Sequence, residues 1–66
     1  MRITLNGERR DHPDGMSVTE LLLGLGLDPA KVAVERNREI VPRSTYGAVA
    51  LAEGDQLEIV HFIGGG

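Results

Sequence analysis

Polar and apolar positions alternate at the start of the chain, with Arg2 and Thr4 interleaved between Ile3 and Leu5, a period of two that predicts a half-buried strand. Asn6-Gly7 follows, the dipeptide that best tolerates the positive φ angles of a two-residue hairpin turn, so a second strand is expected from about Glu8 to His12. That strand is polar throughout and reads as a sheet edge, ended by the turn sequence Pro13-Asp14-Gly15. The period then changes. Ser17-Val18-Thr19-Glu20 has the form of a capping box, and Val18, Leu21, Leu22 and Leu25 fall at the i, i+3, i+4, i+7 spacing of one helical stripe. Gly26 is placed for the left-handed cap at the helix end, while Gly24 inside the helix is expected to mark a close approach to the sheet.

Alternation resumes after Asp28-Pro29. Val32 and Val34 alternate with Ala33 and Glu35, Asn37-Arg38 breaks the run, and a short strand passes through Ile40 and Val41, giving a second hairpin. Residues 42–51 read as irregular, with Tyr46 near the centre and room for a short helical turn. Glu53-Gly54-Asp55 turns the chain into QLEIVHFI, β-branched and aromatic enough for a central strand. Two hairpins, one helix and a final strand predict an α+β domain: a mixed sheet of four to five strands with one helix packed on one face and the other face open.

Composition narrows the chemistry. Sixty-six residues form one domain, and with no cysteine and two well-separated histidines there is neither a disulfide framework nor a metal-ligand cluster. Stability must come from Val, Leu and Ile, since the chain has one Phe, one Tyr and no Trp. A net charge of −3 argues against sequence-independent binding of nucleic acid, which needs a basic face. No apolar run approaches the ~20 residues of a membrane span, and Met1 leads straight into RITLN, so the chain is expected to carry no leader and to be cytoplasmic. No serine or threonine is paired by spacing with a histidine base, and Gly24-Leu25-Gly26 lacks the strand-then-turn context of a phosphate loop. An autonomous enzyme is not expected.

If Leu57 and Ile59 point beneath the helix, Val60 and Phe62 share the opposite, open face and form a small apolar docking patch. The competing arrangement turns Phe62 inward through a bulge, or covers it with the loop around Tyr46. His61 is then expected on the core side as a hydrogen-bonded structural histidine. The chain closes on Gly64-Gly65-Gly66, read either as a frayed end or as a flexible tail that reaches away from the body at residues 1–63. A tail without side chains can enter a narrow channel in another protein. Its α-carboxylate at Gly66 becomes an acylating group once ATP converts it to an acyl-adenylate.

The opening ITLNG, the helix after SVTELL, the segment VAVERNREIVPRS and the ending DQLEIVHFIGGG together resemble the ThiS-type sulfur carriers of thiamine biosynthesis, within the ubiquitin-like β-grasp group. The resemblance covers essentially the whole chain. It implies that Gly66 is adenylated by an E1-like enzyme of the ThiF type using ATP, and that a sulfur donor protein then yields a thiocarboxylate. The sulfur would pass to a thiazole synthase of the ThiG type. Gly65 carries over as the other half of the Gly-Gly motif, Gly64 as an additional glycine, and Val60 and Phe62 as positions near the partner surface. The chain itself would bind no cofactor. The alternatives are a molybdopterin-type carrier or ubiquitin-like protein modifier, and, in a different class, a non-covalent ubiquitin-like interaction module that needs no particular C-terminus.

Overall fold

The computed structural model describes residues 1–61. Five strands, β1 (Arg2–Leu5), β2 (Glu8–Asp11), β3 (Val32–Arg36), β4 (Glu39–Val41) and β5 (Gln56–His61), form one sheet in the order β2-β1-β5-β3-β4. Helix α1 (Val18–Gly24) follows the first hairpin, and short 3-10 turns occupy Pro29–Lys31 and Arg43–Thr45. β1 and β5 run parallel in the middle, with Leu5 opposite Leu57, while the other neighbouring pairs are antiparallel.

Both hairpins are closed by two residues at positive φ, which match the right-handed twist of the strands they join. In the first they are Asn6 (φ 49°) and Gly7 (φ 84°); in the second, Asn37 (φ 52°) and Arg38 (φ 70°). β2 is exposed along its whole length at the sheet edge, as its polar sequence predicts.

The capping box closes the start of α1: the Glu20 amide donates to Ser17 Oγ at 3.0 Å, and the Ser17 amide donates to Glu20 Oε1 at 2.9 Å. At the other end Gly26 takes φ 77°, its amide donates to the Leu23 carbonyl at 3.0 Å, and the Leu27 amide reaches the Leu22 carbonyl at 2.9 Å. These two bonds are the Schellman arrangement that satisfies the last helical carbonyls. The expected close approach at Gly24 is not found. A Cβ built there meets nothing within 4 Å, so neither packing nor φ requires glycine at that position.

One short helix cannot cover five strands, and the segment read as irregular completes the layer. Tyr46 and Leu51 are buried with Val18, Leu21 and Leu22 of α1 against Ile3, Leu5, Val32, Val34, Val41 and Leu57 of the sheet. The Tyr46 hydroxyl donates to the Val32 carbonyl at 3.0 Å, so its buried polar end is satisfied. The same segment is stitched to the start of the helix. The Val18 amide donates to the Val49 carbonyl at 3.1 Å, Thr19 to Tyr46 at 3.1 Å, and Leu51 to Met16 at 2.8 Å. Two orphan amides of the first helical turn are thereby satisfied by backbone. With every described layer on one side, the described residues leave the opposite face of the sheet uncovered.

Candidate functional site

The open face and the end of β5 that crosses it are the candidate site. Three devices hold β5. At its start, the buried Asp55 carboxylate accepts from the Ala52 amide at 2.8 Å, Arg36 Nε at 2.8 Å and Asn37 Nδ2 at 3.1 Å. Burial pushes this carboxyl upward, but the three donors and the guanidinium charge outweigh it and hold the group below the usual carboxylate range. Asn37 returns the favour to the strand: its Oδ1 accepts from the Gln56 amide at 2.9 Å, and its own amide donates to the Gln56 carbonyl at 2.7 Å.

The second device lies where β1 runs out. The Asn6 amide donates to the Leu57 carbonyl at 2.9 Å. One residue pair further along, the Asn6 side chain takes over from the backbone, with Oδ1 accepting from the Ile59 amide at 2.7 Å and Nδ2 donating to the Ile59 carbonyl at 3.2 Å. A side-chain amide thus satisfies a donor and an acceptor that a longer β1 would otherwise have paired. The third device is the antiparallel ladder to β3, which continues to Val32 opposite His61.

With β5 fixed in this way, the two faces separate by period two. Leu57 is buried and Ile59 half-buried beneath α1, while Gln56, Glu58 and Val60 are exposed on the open side. Val60 is 61% exposed, in the position expected of it. Ile40, placed on a short strand by the sequence but given no face there, is 76% exposed on the same face. Its orientation follows from register, because Val41 pairs with the buried Val34 and the preceding residue must point the other way. Ala33 pairs with Val60 and Glu35 with Glu58, so the patch contains Ile40, Ala33 and Val60 around two carboxylates. At the far edge, the Arg2 guanidinium hydrogen-bonds Asp11 at 3.2 Å, bridging β1 and β2 and holding the Asp11 carboxyl below its usual range.

His61 departs from expectation. It lies on the helix side of β5 but is exposed, and no hydrogen bond to its ring is made among the described residues. Instead it lines a shallow groove of about 280 Å³ with Leu5, Arg10, Leu25, Leu27 and Ile59. Tyr46 is packed on the helix side of the sheet and does not cover the open face. Phe62, Gly64, Gly65 and Gly66, and the boundary drawn between residues 63 and 64, lie outside the described residues. Among the described residues there is no cluster of three or more His, Cys, Asp or Glu that could hold a metal. No helix among them is long and apolar enough to cross a membrane.

A five-stranded mixed sheet with parallel β1 and β5 at its centre and one helix across one face is a β-grasp domain. The sequence model of the ThiS family matches residues 3–66, and the chain belongs to that family. It is 59% identical over 66 residues to a thiazole synthase of Magnetococcus marinus, an alignment covering 100% of this chain and 20% of that protein. It is 43% identical over 53 residues to the sulfur carrier protein ThiS of Bacillus subtilis, covering 80% of each. The crystal structure of a thiamine biosynthesis protein (ThiS) from Geobacter metallireducens superposes with a TM-score of 0.84 at 36% identity, covering both chains in full. The chain spans about one fifth of the length of the thiazole synthases it matches.

Proposed function

We propose that this chain is a cytoplasmic sulfur carrier of thiamine biosynthesis, in which the folded body supplies recognition and the α-carboxylate of Gly66 supplies the chemistry. The observation that carries the reading is the family match, which runs through the terminal glycines to residue 66. The open face leading along β5 towards that end supports it.

The chemistry divides between partners. A carboxylate oxygen of Gly66 attacks the α-phosphorus of ATP in an E1-like adenylating enzyme, forming the acyl-adenylate and releasing pyrophosphate. A sulfide or persulfide from a sulfur donor protein attacks the acyl carbon, AMP leaves, and after any persulfide is reduced by a thiol the product is a thiocarboxylate. The chain has no cysteine, so no sulfur nucleophile of its own competes for the activated carbonyl. Thiazole synthase is the proposed acceptor, and the alignment of this chain with one fifth of such enzymes supports that pairing. ATP is bound by the activating enzyme rather than by the carrier.

Deletion of Gly66 tests the division of labour. The truncated chain should melt with the full chain, while incubation with ATP, a sulfide source and the adenylating enzyme produces no thiocarboxylate by intact-mass spectrometry. Normal loading of the truncated chain would overturn the proposal. A single residue added after Gly66 should likewise block loading, whereas a non-covalent interaction module would bind its partner unchanged.

A further inference from the structure

Glu35 and Glu58 face each other in register across β3 and β5, both exposed on the open face. The Asn37 amide donates to the Gln56 carbonyl two positions along the ladder, so by alternation Glu35 and Glu58 form another hydrogen-bonded pair, with Cα atoms about 5.5 Å apart. Like charges placed directly opposite in this way destabilise a sheet. No ion pair among the described residues relieves them. Arg2 is engaged by Asp11, Arg36 pairs with Asp55 on the other side, and Arg9 stands opposite Thr4 on β2, two strands from Glu58. Neither glutamate makes an ion pair among the described residues.

The pair has Asn37 and Gln56 on one side and apolar residues on the other. Ala33 and Val60 form the next cross-strand pair, and Ile40 stands opposite Glu35 on β4. Any protein surface that covers Val60 and Ile40 also draws both carboxylates out of water. That is tolerable only if it brings positive charge with it.

We propose that this patch docks a partner surface that lowers an arginine or lysine between Glu35 and Glu58 while apolar side chains cover Val60, Ala33 and Ile40. A guanidinium suits the site better than an ammonium, because its fork can donate to both carboxylates at once. The free chain therefore holds an electrostatic strain that only the correct partner removes, and the pair selects against neutral or acidic surfaces. A second copy of the chain does not fit, since its own patch brings no cation to the centre of the contact and three aliphatic side chains fall short of a stable interface. The inference rests on the carrier reading above, and the partner is taken to be the adenylating enzyme because the patch lies on the strand that leads to Gly66.

The test compares the full-length chain with the double variant Glu35→Gln, Glu58→Gln and with Glu35→Lys. Both variants should melt a few degrees higher than the parent, because the first removes the repulsion and the second replaces it with a cross-strand ion pair. Both should bind the adenylating enzyme from the same genome about tenfold or more weakly. The parent's Kd should rise with salt, and the double variant's should be nearly flat. Unchanged binding with the same salt slope, while the parent is still converted to thiocarboxylate, would overturn the docking inference alone. Lower melting temperatures would overturn the claimed strain, and concentration-dependent dimers dissolved by the variants would assign the patch to a second copy. A parent chain that neither binds nor is loaded would overturn the carrier reading together with this one.

Discussion

Arg38 and Gly24 are each out of place by local criteria. Arg38 sits at φ 70°, where a Cβ crowds the backbone by roughly 1–2 kcal/mol, and Gly24 lies in a helix with open space where a side chain would go. Arg38→Gly and Gly24→Ala should each raise stability by about 0.5 to 1 kcal/mol in urea unfolding. The capping glycine shows the opposite case, because Gly26 occupies φ 77° and an alanine there would be strained. The pattern Gly-Leu-Gly does not distinguish the two roles. A glycine required by its positive φ and one required by neither φ nor packing look alike in sequence. Asp55 sets the response to acid. Its folded carboxyl lies below the ordinary range, so its contribution is fully present above the unfolded value near 4 and is lost as pH falls through the folded value. Asp55→Asn should cost about 2 to 3 kcal/mol at pH 7, from three hydrogen bonds to a buried charge, and the difference from the parent should shrink below about pH 4. Urea midpoints measured from pH 7 to pH 3 check both magnitude and direction.

At the scale of elements, the first hairpin and the helix were legible because their signals are local. Asn6-Gly7 fixes a turn type, and Ser17 with Glu20 fixes a helix start, whatever the rest of the chain does. In residues 42–51 the short helical turn was legible, while the core role of the segment was opaque for the converse reason. Tyr46 and Leu51 are core residues only because α1 is too short to cover the sheet, which is a tertiary fact with no period of its own. The exposure of Ile40 likewise depends on pairing, since EIV read alone leaves either face available to it. Val60 could be assigned because β5 is long enough for alternation to define a face. Asn6 serves its element twice, through a backbone at positive φ and a side chain that pairs with Ile59. Asn6→Ala loses the side-chain bonds and adds strain, so it should destabilise by about 2 to 3 kcal/mol. Asn6→Gly relieves the strain and should recover about 1 kcal/mol of that loss. Equal losses in the two variants, measured by thermal and urea unfolding, would assign the whole effect to the hydrogen bonds.

For the whole molecule, the division into a packed side and an uncovered side separates stability from the proposed recognition. Val60→Thr keeps the shape and β-branching of an exposed strand residue, so stability should stay within about 0.5 kcal/mol of the parent. Affinity for the proposed adenylating partner should fall severalfold, and titration calorimetry beside a melting curve reads the two quantities independently. A large loss of stability would instead place Val60 among the core residues. The strand order has one more result, which concerns biosynthesis. β2-β1 and β3-β4 lie on opposite flanks of β5 and share no ladder with each other. A nascent chain therefore holds two separate ribbons until residues 56–61 leave the ribosome and join them. β5 is the last of the described strands in chain order, so the centre of the sheet closes only after both ribbons have been made, and on the proposed carrier reading the glycines follow a body whose ribbons are already joined.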